Sequence, residues 1–468
     1  MTTIKKPKKQ KLRNAEYYDL QATFDKLYLE SKNGKTFTKI MPIILSENNI
    51  RLAYRNLKRN SGSKTAGTDN KTIKDLETWK EPDLVRYVRK RLEWYIPQPV
   101  RRVEIAKDNG KTRPLGIPTI QDRLIQQCFL QVLEPICEAK FHDRSFGFRP
   151  NRSQENAVAV AYSLMQIQHL HFVVDLDIKG FFDNVSHGKL LRQMWSLGIR
   201  DKTVLSILSA MLKAEVAGIG FPEKGTPQGG IISPLLSNIV LNELDWWISS
   251  QWETMPMRKN YVRTRKDNGV AEKTYAYKVL REKSRLKECY GLRYADDFRI
   301  FCRRRQDAEK LFIATQKWLK ERLGLDISPE KSQIVNLKRK YSEFLGFKMM
   351  VKPNGKSGSK TRYTVVSHVS EKRKKKIKKR ASELVAKIKF PADKFEEHKF
   401  IMDYNSYVMG IHNYYSMATH ANQDFSEIGF SVKRTMKCRI GQRLKKSGNS
   451  LPQYVQEKYG RSKELRYI

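Results

Sequence analysis

Apolar positions along this chain follow two spacings, one typical of helices and one of strands. Between residues 121 and 141, "QDRLIQQCFLQVLEPICEAKF" repeats apolar residues every three or four positions, which predicts a helix with one buried face. The same spacing predicts helices in 48–59, around 189–213 and 231–248, and in 371–388 and 401–415. The buried face of 121–141 consists of Leu124, Ile125, Cys128, Phe129, Val132, Leu133 and Ile136.

Two apolar segments with strand character contain acidic residues. They are "HFVVDLDI" (171–178) and "LRYADDFRIFCR" (292–303). Adjacent side chains of a regular strand point to opposite faces, so Asp296 and Asp297 can serve one site only where the chain turns. The second segment is therefore predicted to be a β-hairpin with the aspartates at its tip. Together with the helices, it indicates an α+β fold.

The acidic residues of these two segments predict a metal site. Asp175 and Asp177 fall on one strand face, and central pairing with the hairpin would bring three or four carboxylates together. Two carboxylates about 4 Å apart repel by about 4 kcal/mol at an effective dielectric constant near 20, so they must be protonated or bind a cation. Oxygen ligands without His or Cys favour Mg²⁺, and open coordination positions suit two-metal phosphoryl transfer. The alternatives are a surface turn at 296–297 and structural or capping roles for Asp175 and Asp183.

The charge of the chain indicates a polyanionic partner. Its 91 Lys and Arg residues against 49 Asp and Glu residues give a formal net charge of +42, which points to nucleic acid. No segment approaches 18 consecutive apolar residues, and "MTTIKKPKKQKLRN" lacks the apolar core of a signal peptide, so a cytoplasmic protein without membrane contact is expected. The five scattered cysteines lack a C-x-x-C pair, which predicts buried free thiols.

Several sequence blocks occur in an order that matches a known family. They are "AKDNGKTRPLGIPTIQDRLIQQ" (106–127), "SFGFRPNRS" (145–153), "VVDLDIKGFFDNVSH" (173–187), "GTPQGGIISPLLSNIVLNELD" (225–245), Tyr-Ala-Asp-Asp (294–297), "SPEKS" (328–332) and "FLGF" (344–347). This series resembles the successive blocks of group II intron-encoded reverse transcriptases, also called maturases, over most of residues 50–440.

The resemblance implies a right-hand polymerase with α+β fingers and palm and a helical thumb. Residues 1–50 would form a basic N-terminal extension and 51–348 the fingers and palm. Residues 349–445 would form the helical thumb and maturase RNA-binding region, followed by a basic tail at 446–468. An insertion at 246–290, absent from shorter family members, mixes cations and aromatics. That mixture suits RNA contact, with a protein contact as the alternative.

The resemblance also assigns the catalytic and metal-binding residues. Asp177 matches the first catalytic aspartate, and Asp296 and Asp297 match the pair on the hairpin. The carbonyl of Ile178 would be a further ligand of two Mg²⁺ ions, for which Mn²⁺ would substitute. Lys331 resembles the lysine that protonates the leaving pyrophosphate, although an exposed lysine at a helix start would have the same sequence.

A second group of residues is implied to hold the incoming dNTP. Lys107 and Arg113 match the fingers residues that close on the triphosphate, with ordinary basic surface as the alternative. Phe182 matches the ring that lies beneath the sugar and excludes a ribose 2′-hydroxyl, or it packs in the core. Gln228 matches a residue that contacts the nucleotide, and Gly229 lets the backbone approach it closely, unless "GTPQGG" is an unrelated tight turn.

Cations on two helices near the C-terminus are implied to bind RNA. They lie in "EKRKKKIKKR" (371–380) and "SVKRTMKCRIGQRLKK" (431–446), opposite apolar faces. In the family this region tracks the duplex and grips intron RNA, whereas the alternative is a solvated basic surface. The residues concerned are Lys374, Lys375, Lys378, Lys379, Arg439 and Arg443.

The function expected from this comparison is RNA-directed DNA synthesis from a DNA primer or target, combined with binding of intron RNA for splicing and mobility. The alternatives are a stand-alone reverse transcriptase of retron, diversity-generating, CRISPR-associated or repair type, and a non-catalytic RNA-binding splicing cofactor. The nuclease module that many relatives carry at the C-terminus is not recognisable, so target-DNA cleavage is not expected.

Overall fold

A computed structural model describes residues 14–106, 110, 112–257, 259–265, 269 and 271–441. Its α-helices are α1 (Gln21–Lys32), α2 (Met41–Ile44), α3 (Glu47–Arg59), α4 (Ile73–Glu77), α5 (Glu81–Glu93), α6 (Ile120–Glu138), α7 (Gln154–Tyr162), α8 (Phe181–Asn184), α9 (His187–Leu197), α10 (Lys202–Leu212), α11 (Ser233–Ser250), α12 (Thr274–Lys283), α13 (Arg305–Trp318), α14 (Glu371–Ile388), α15 (Lys394–Tyr415) and α16 (Ala421–Ile440). Its strands are β1 (Arg101–Ala106), β2 (Thr112–Ile117), β3 (Phe172–Leu176), β4 (Arg263–Thr264), β5 (Ala271–Glu272), β6 (Cys289–Tyr294), β7 (Asp297–Cys302), β8 (Gln333–Asn336), β9 (Ser342–Phe344), β10 (Phe347–Ser357) and β11 (Lys360–Val369).

The central sheet is antiparallel and has the order β6-β7-β3-β8. The chain places the neighbours β3 and β7 more than a hundred residues apart, so the sheet is closed by long-range pairing. Helix α13 packs on β3, β7 and β8, while α7 and α11 pack on β6. This sheet confirms that the two acidic segments pair with each other and that the fold is α+β.

A helical layer and a projecting hairpin precede the central sheet. Helices α1 and α3 pack on α6, whose predicted face of seven apolar residues is fully buried. Strands β1 and β2 form an antiparallel hairpin that is largely exposed outside its base. The described part of the hairpin therefore extends away from the core.

Three helices and a small sheet follow the central sheet. Strands β9, β10 and β11 form an antiparallel sheet, and α14 packs between α15 and α16. The predicted apolar positions Ile377, Ala381, Leu384, Val385 and Ile388 of α14 are all buried. One connected hydrophobic core extends from Leu27 in α1 to Ile440 in α16, so these helices are packed on the rest of the chain.

The helical pattern predicted around 189–213 forms two helices. The apolar spacing of 189–213 continues through two helices, α9 and α10, which are separated by a turn at Gly198 with φ of +108°. The side chain of Asp201 then caps α10 by accepting hydrogen bonds from the N–H groups of Thr203 and Val204. The helical period persists across this break because both helices bury an apolar face, so the period alone does not reveal the turn.

Within the described residues, no helix combines the length and apolar character needed to cross a membrane. Four of the five cysteines are buried free thiols as predicted, whereas Cys438 is exposed on α16.

Candidate active site

The Tyr-Ala-Asp-Asp segment forms a two-residue hairpin turn. Tyr294 pairs with Asp297, which leaves Ala295 and Asp296 in the loop, and Ala295 has φ of +58°. Gly147 lies directly against this turn, since a Cβ atom there would meet the Ala295 nitrogen at 2.2 Å. The "SFGFRP" block therefore supports the turn by close backbone approach, which requires glycine.

A buried arginine, Arg293, forms a hydrogen bond with the same turn. Arg293 is 1% exposed and donates to both carboxylate oxygens of Asp245 and to the side-chain oxygen of Asn238. Its guanidinium also donates to the carbonyl of Ala295 at 2.8 Å. Sequence reasoning did not identify this residue, because an arginine in a strand gives no sign of which distant carboxylate it will meet.

Asp177 lies beside the hairpin tip, one residue past the end of β3. Leu176 is paired with Phe298, so continuation of the register places Asp177 opposite Asp297. The backbone of Asp177 is fixed by two serines: its N–H donates to Ser332 Oγ at 3.2 Å, and its carbonyl accepts from the Ser328 N–H at 2.7 Å.

The neighbouring predicted ligand, Ile178, is held by an antiparallel bridge to Ile327. Two hydrogen bonds flank this bridge, from the Lys179 N–H to the Asp326 carbonyl and from the Ser328 N–H to the Asp177 carbonyl. Neither of them uses the carbonyl of Ile178. Lys331 also reaches this site, with its Nζ 3.1 Å from Asp177 Oδ2.

Asp297 is surrounded by other charges. The pKa of its carboxyl is raised to about 6: desolvation is the largest cause, the charges of Asp175, Asp296 and Asp177 add to the increase, and the Arg299 guanidinium 3.1 Å away opposes it. The carboxylates thus lie close enough to repel one another, and their hard oxygen donors fit a divalent cation that would relieve this repulsion.

Among the described residues, the carboxylates do not converge on one point. In the part of the chain that the structure describes, no three acidic, histidine or cysteine side chains are arranged to bind a single ion. Lys331 holds Asp177, and Arg299 holds Asp297. Asp175 is 5% exposed and receives a hydrogen bond from Ser342, so it belongs to the interior, as expected, and not to the open site.

A cleft of about 380 Å³ contains two of the residues expected to bind nucleotide, Phe182 and Gln228. The Phe182 carbonyl accepts a hydrogen bond from the Thr226 N–H at 2.7 Å, which ties the "GTPQGG" loop to α8. Gly229 has φ of +147°, and a Cβ atom there would meet the Gly116 carbonyl oxygen at 2.4 Å. This glycine therefore allows the loop to pack against β2.

Of the two cations expected near the triphosphate, the structure describes Arg113. Arg113 is exposed in β2, on the hairpin whose residues Pro114, Leu115 and Gly116 line the cleft. Lys107 lies outside the described residues.

The cations of α14 and α16 do not all lie on the surface. Lys374, which was expected to bind RNA, is buried and paired with carboxylates. Its Nζ lies 2.7 Å from Asp424 and 2.9 Å from Glu427, and its side chain is 7% exposed. Burial alone would lower the pKa of Lys374, but the hydrogen bonds to Asp424 and Glu427 outweigh this effect. The pKa is therefore raised, and the lysine stays charged within the fold. Lys378 is half-buried and also pairs with Glu427, whereas Lys375, Lys379 and Arg439 are exposed. Arg443 lies outside the described residues.

Comparison with known proteins agrees with this geometry. Residues 105–349 match the family described as "Reverse transcriptase (RNA-dependent DNA polymerase)". The group II intron-encoded protein LtrA of Lactococcus lactis subsp. cremoris is 31% identical over 451 residues, covering 84% of this chain and 74% of the relative. Protein YkfC of Escherichia coli is 34% identical over 265 residues, covering 55% and 68%. The putative COX1/OXI3 intron 2 protein of Saccharomyces cerevisiae is 28% identical over 358 residues, covering 69% and 41%.

The family match runs from the end of β1 through β2 and the central sheet to the start of β10, and the LtrA match covers 84% of the chain. This chain therefore belongs to the reverse transcriptases, in the group II intron-encoded reverse transcriptase/maturase family.

Proposed function

We propose that this protein copies RNA into DNA from dNTPs and binds the RNA of its own intron to assist splicing and mobility. The observation that supports the polymerase function is the pairing of Leu176 with Phe298, because the residue after Leu176 is Asp177 and the residue before Phe298 is Asp297, next to the turn that holds Asp296. The names of relatives, which include intron-encoded proteins and nuclear intron maturases, support the intron function. We place this activity in the cytosol of a bacterial-type cell.

Asp177, Asp296 and Asp297 would hold two Mg²⁺ ions, with Mn²⁺ as a substitute and the Ile178 carbonyl as a further ligand. When bound, the ions activate the primer 3′-hydroxyl and stabilise the leaving pyrophosphate. Hydrogen bonds to Ser328 and Ser332 fix the backbone of Asp177, which limits the positions that its carboxylate can take. Lys331, which contacts Asp177, is the proton donor that we assign to the leaving pyrophosphate.

The incoming dNTP would occupy the cleft that Phe182 and Gln228 line. Lys107 and Arg113 would hold its triphosphate, and Arg113 suits this task because a guanidinium binds phosphate oxygens in pairs. Phe182 would lie beneath the sugar, while Gln228 contacts the nucleotide and Gly229 keeps the loop backbone close. The shared cleft of Phe182 and Gln228 supports this arrangement.

The intron RNA would contact the exposed cations of the thumb. Lys375 and Lys379 on α14 and Arg439 on α16 are exposed, and Lys378 is partly so. Arg443 is assigned the same role from sequence alone. Lys374 is excluded because its charge is already neutralised by Asp424 and Glu427.

Primer extension on an RNA template tests the metal assignment. Asp296→Ala should reduce extension by at least about a thousandfold, since loss of one ligand disturbs both ions. Asp143→Asn, at an exposed aspartate outside the site, is the matched control and should extend normally. Activity of Asp296→Ala within tenfold of wild type would exclude this assignment.

Sequencing of RNA that copurifies with the protein tests the intron function. Enrichment of one structured intron RNA is the expected result. A broad mixture without an intron would instead support a stand-alone reverse transcriptase.

A further inference from the structure

Arg299 is a buried cation that the proposed chemistry does not use. It lies on β7 two residues after Asp297, so both side chains project to the same face of the sheet. Across the sheet it is paired directly with Asp175 of β3. Its side chain is only 10% exposed, although ionised arginine is costly to bury without partners.

The guanidinium of Arg299 connects three parts of the fold. It lies 3.1 Å from Asp297 Oδ1 and 3.1 Å from Asp175 Oδ1. It also donates to the backbone carbonyl of Glu343 in β9, and its planar face lies 5.1 Å from the centre of the Phe344 ring. The hydroxyl of Ser342 in turn donates to Asp175 at 3.1 Å.

Arg293, the other buried arginine of the same hairpin, differs from Arg299 in its partners. Arg293 directs its charge to one carboxylate, Asp245, and is neutralised there. Arg299 has an equivalent interior partner in Asp175, yet it also extends to Asp297 at the open site. A purely structural ion pair would not require this second carboxylate.

We propose that Arg299 is a positioning residue that joins Asp297 to the β9–β10 hairpin and fixes the direction of its carboxylate. This inference rests on the proposed role of Asp297 as a metal ligand. The same contact places a positive charge next to the metal-binding oxygens. Arg299 therefore weakens metal binding through its charge and accelerates the reaction through its geometry.

These two effects have opposite signs after substitution. Arg299→Met removes the positive charge beside Asp297. The carboxylates of Asp177, Asp296 and Asp297 should then bind a divalent cation at least about threefold more tightly. The Asp297 carboxylate also loses its anchor, so kcat for primer extension should fall at least about tenfold. Loss of general structure would instead weaken metal binding and activity together.

The experiment measures Mn²⁺ binding to the full chain without nucleic acid by electron paramagnetic resonance, alongside kcat and thermal unfolding. Arg299→Lys retains the charge but lacks the planar guanidinium that contacts Asp175, Asp297 and the Glu343 carbonyl at once. It should bind Mn²⁺ within about twofold of wild type and still lose kcat. Arg303→Met is the matched control, because Arg303 pairs with Glu288 just beyond the other end of β7. It should leave Mn²⁺ binding unchanged.

Weaker Mn²⁺ binding by Arg299→Met, or the same pattern in Arg303→Met, would overturn the inference. If Arg299→Met does not fold, Arg299→Lys decides, and a normal kcat for that variant overturns it. Asp297→Asn separates this inference from the proposed function. If Asp297→Asn remains active, the metal assignment itself fails, whereas an inactive Asp297→Asn with a fully active Arg299→Met refutes only the role of Arg299.

Discussion

At the scale of single residues, the two adjacent aspartates of the hairpin have different surroundings. Asp296 lies in the turn, whereas Asp297 begins β7 and contacts Arg299. The chain turns at Ala295 and Asp296, which the positive φ of Ala295 and the missing side chain of Gly147 allow. Two neighbouring carboxylates can therefore face one site without a continuous strand separating them.

Phe182 allows a test of sugar selection at the same scale. Its ring is partly buried, and the ring centres of Phe182 and Phe181 lie 5.2 Å apart in a T-shaped contact. Phe182 also lines the cleft. Phe182→Ala should increase ribonucleotide incorporation relative to deoxyribonucleotide by about ten- to a hundredfold, because the steric block to the 2′-hydroxyl is removed. The measurement is competitive incorporation on one template.

Phe182→Tyr is the control and should retain sugar discrimination. If Phe182→Ala discriminates as wild type does, the ring serves only core packing.

At the scale of elements, α14 contains lysines in two different environments. Lys374 is on the buried face, while Lys375 and Lys379 are exposed. Lys374→Met should lower the free energy of unfolding by about 3 kcal/mol, because Asp424 keeps a buried charge without this partner. Lys375→Gln with Lys379→Gln should leave stability unchanged.

RNA binding should show the reverse pattern for these α14 variants. The exposed pair, when neutralised, should flatten the slope of log K against log salt by about 0.7 to 0.9 for each lost phosphate contact. Lys374→Met should keep the wild-type slope. Affinity at several salt concentrations and denaturant unfolding test both statements, and an unchanged slope in the double variant would exclude this face as the RNA contact.

The contact between α14 and α16 should depend on pH. Hydrogen bonds from Lys378 and Lys374 lower the pKa of Glu427 to about 2, from an ordinary value of 4.5. A depressed pKa stabilises the fold above the ordinary value, and this stabilisation is lost as the pH falls from 4.5 towards 2. Glu427→Gln should therefore be less stable than wild type near neutral pH.

The stability difference between Glu427→Gln and wild type should shrink across that acidic interval. Unfolding at a series of pH values is the measurement. A difference that stays constant down to the lowest pH would mean that the carboxylate does not make this contribution.

At the scale of the whole molecule, the residues that we propose for polymerisation and for RNA binding lie in different parts of the fold. The carboxylates lie at the end of the central sheet, and the exposed lysines lie on α14. Phosphate contacts supply salt-dependent affinity, to which the metal site contributes nothing. Asp296→Ala should therefore lose DNA synthesis but keep the wild-type salt slope and support splicing of the intron.

Splicing assays with Asp296→Ala and with the Lys375 and Lys379 double variant test this separation. Loss of splicing by a folded Asp296→Ala protein would show that the two activities share one site.

The sequence by itself determined several of the elements and the type of chemistry. The helical period of α6 and the two acidic strand segments are local patterns, and the ordered blocks identify the family because they preserve residue types at fixed spacings. The hairpin turn at Ala295 and Asp296 also follows from neighbouring residues, since adjacent aspartates can share a site only at a turn. These features depend on residues close together in the chain, which a linear pattern can record.

Only the tertiary structure decided which charges meet. Asp175 and Ser342 are 167 residues apart in sequence, yet they form one buried group with Arg299. Lys374 resembles its neighbours in sequence but is neutralised by Asp424, on another helix. A charged residue has the same sequence pattern on the surface and in a buried pair, because the difference in its free energy arises from partners that folding brings close.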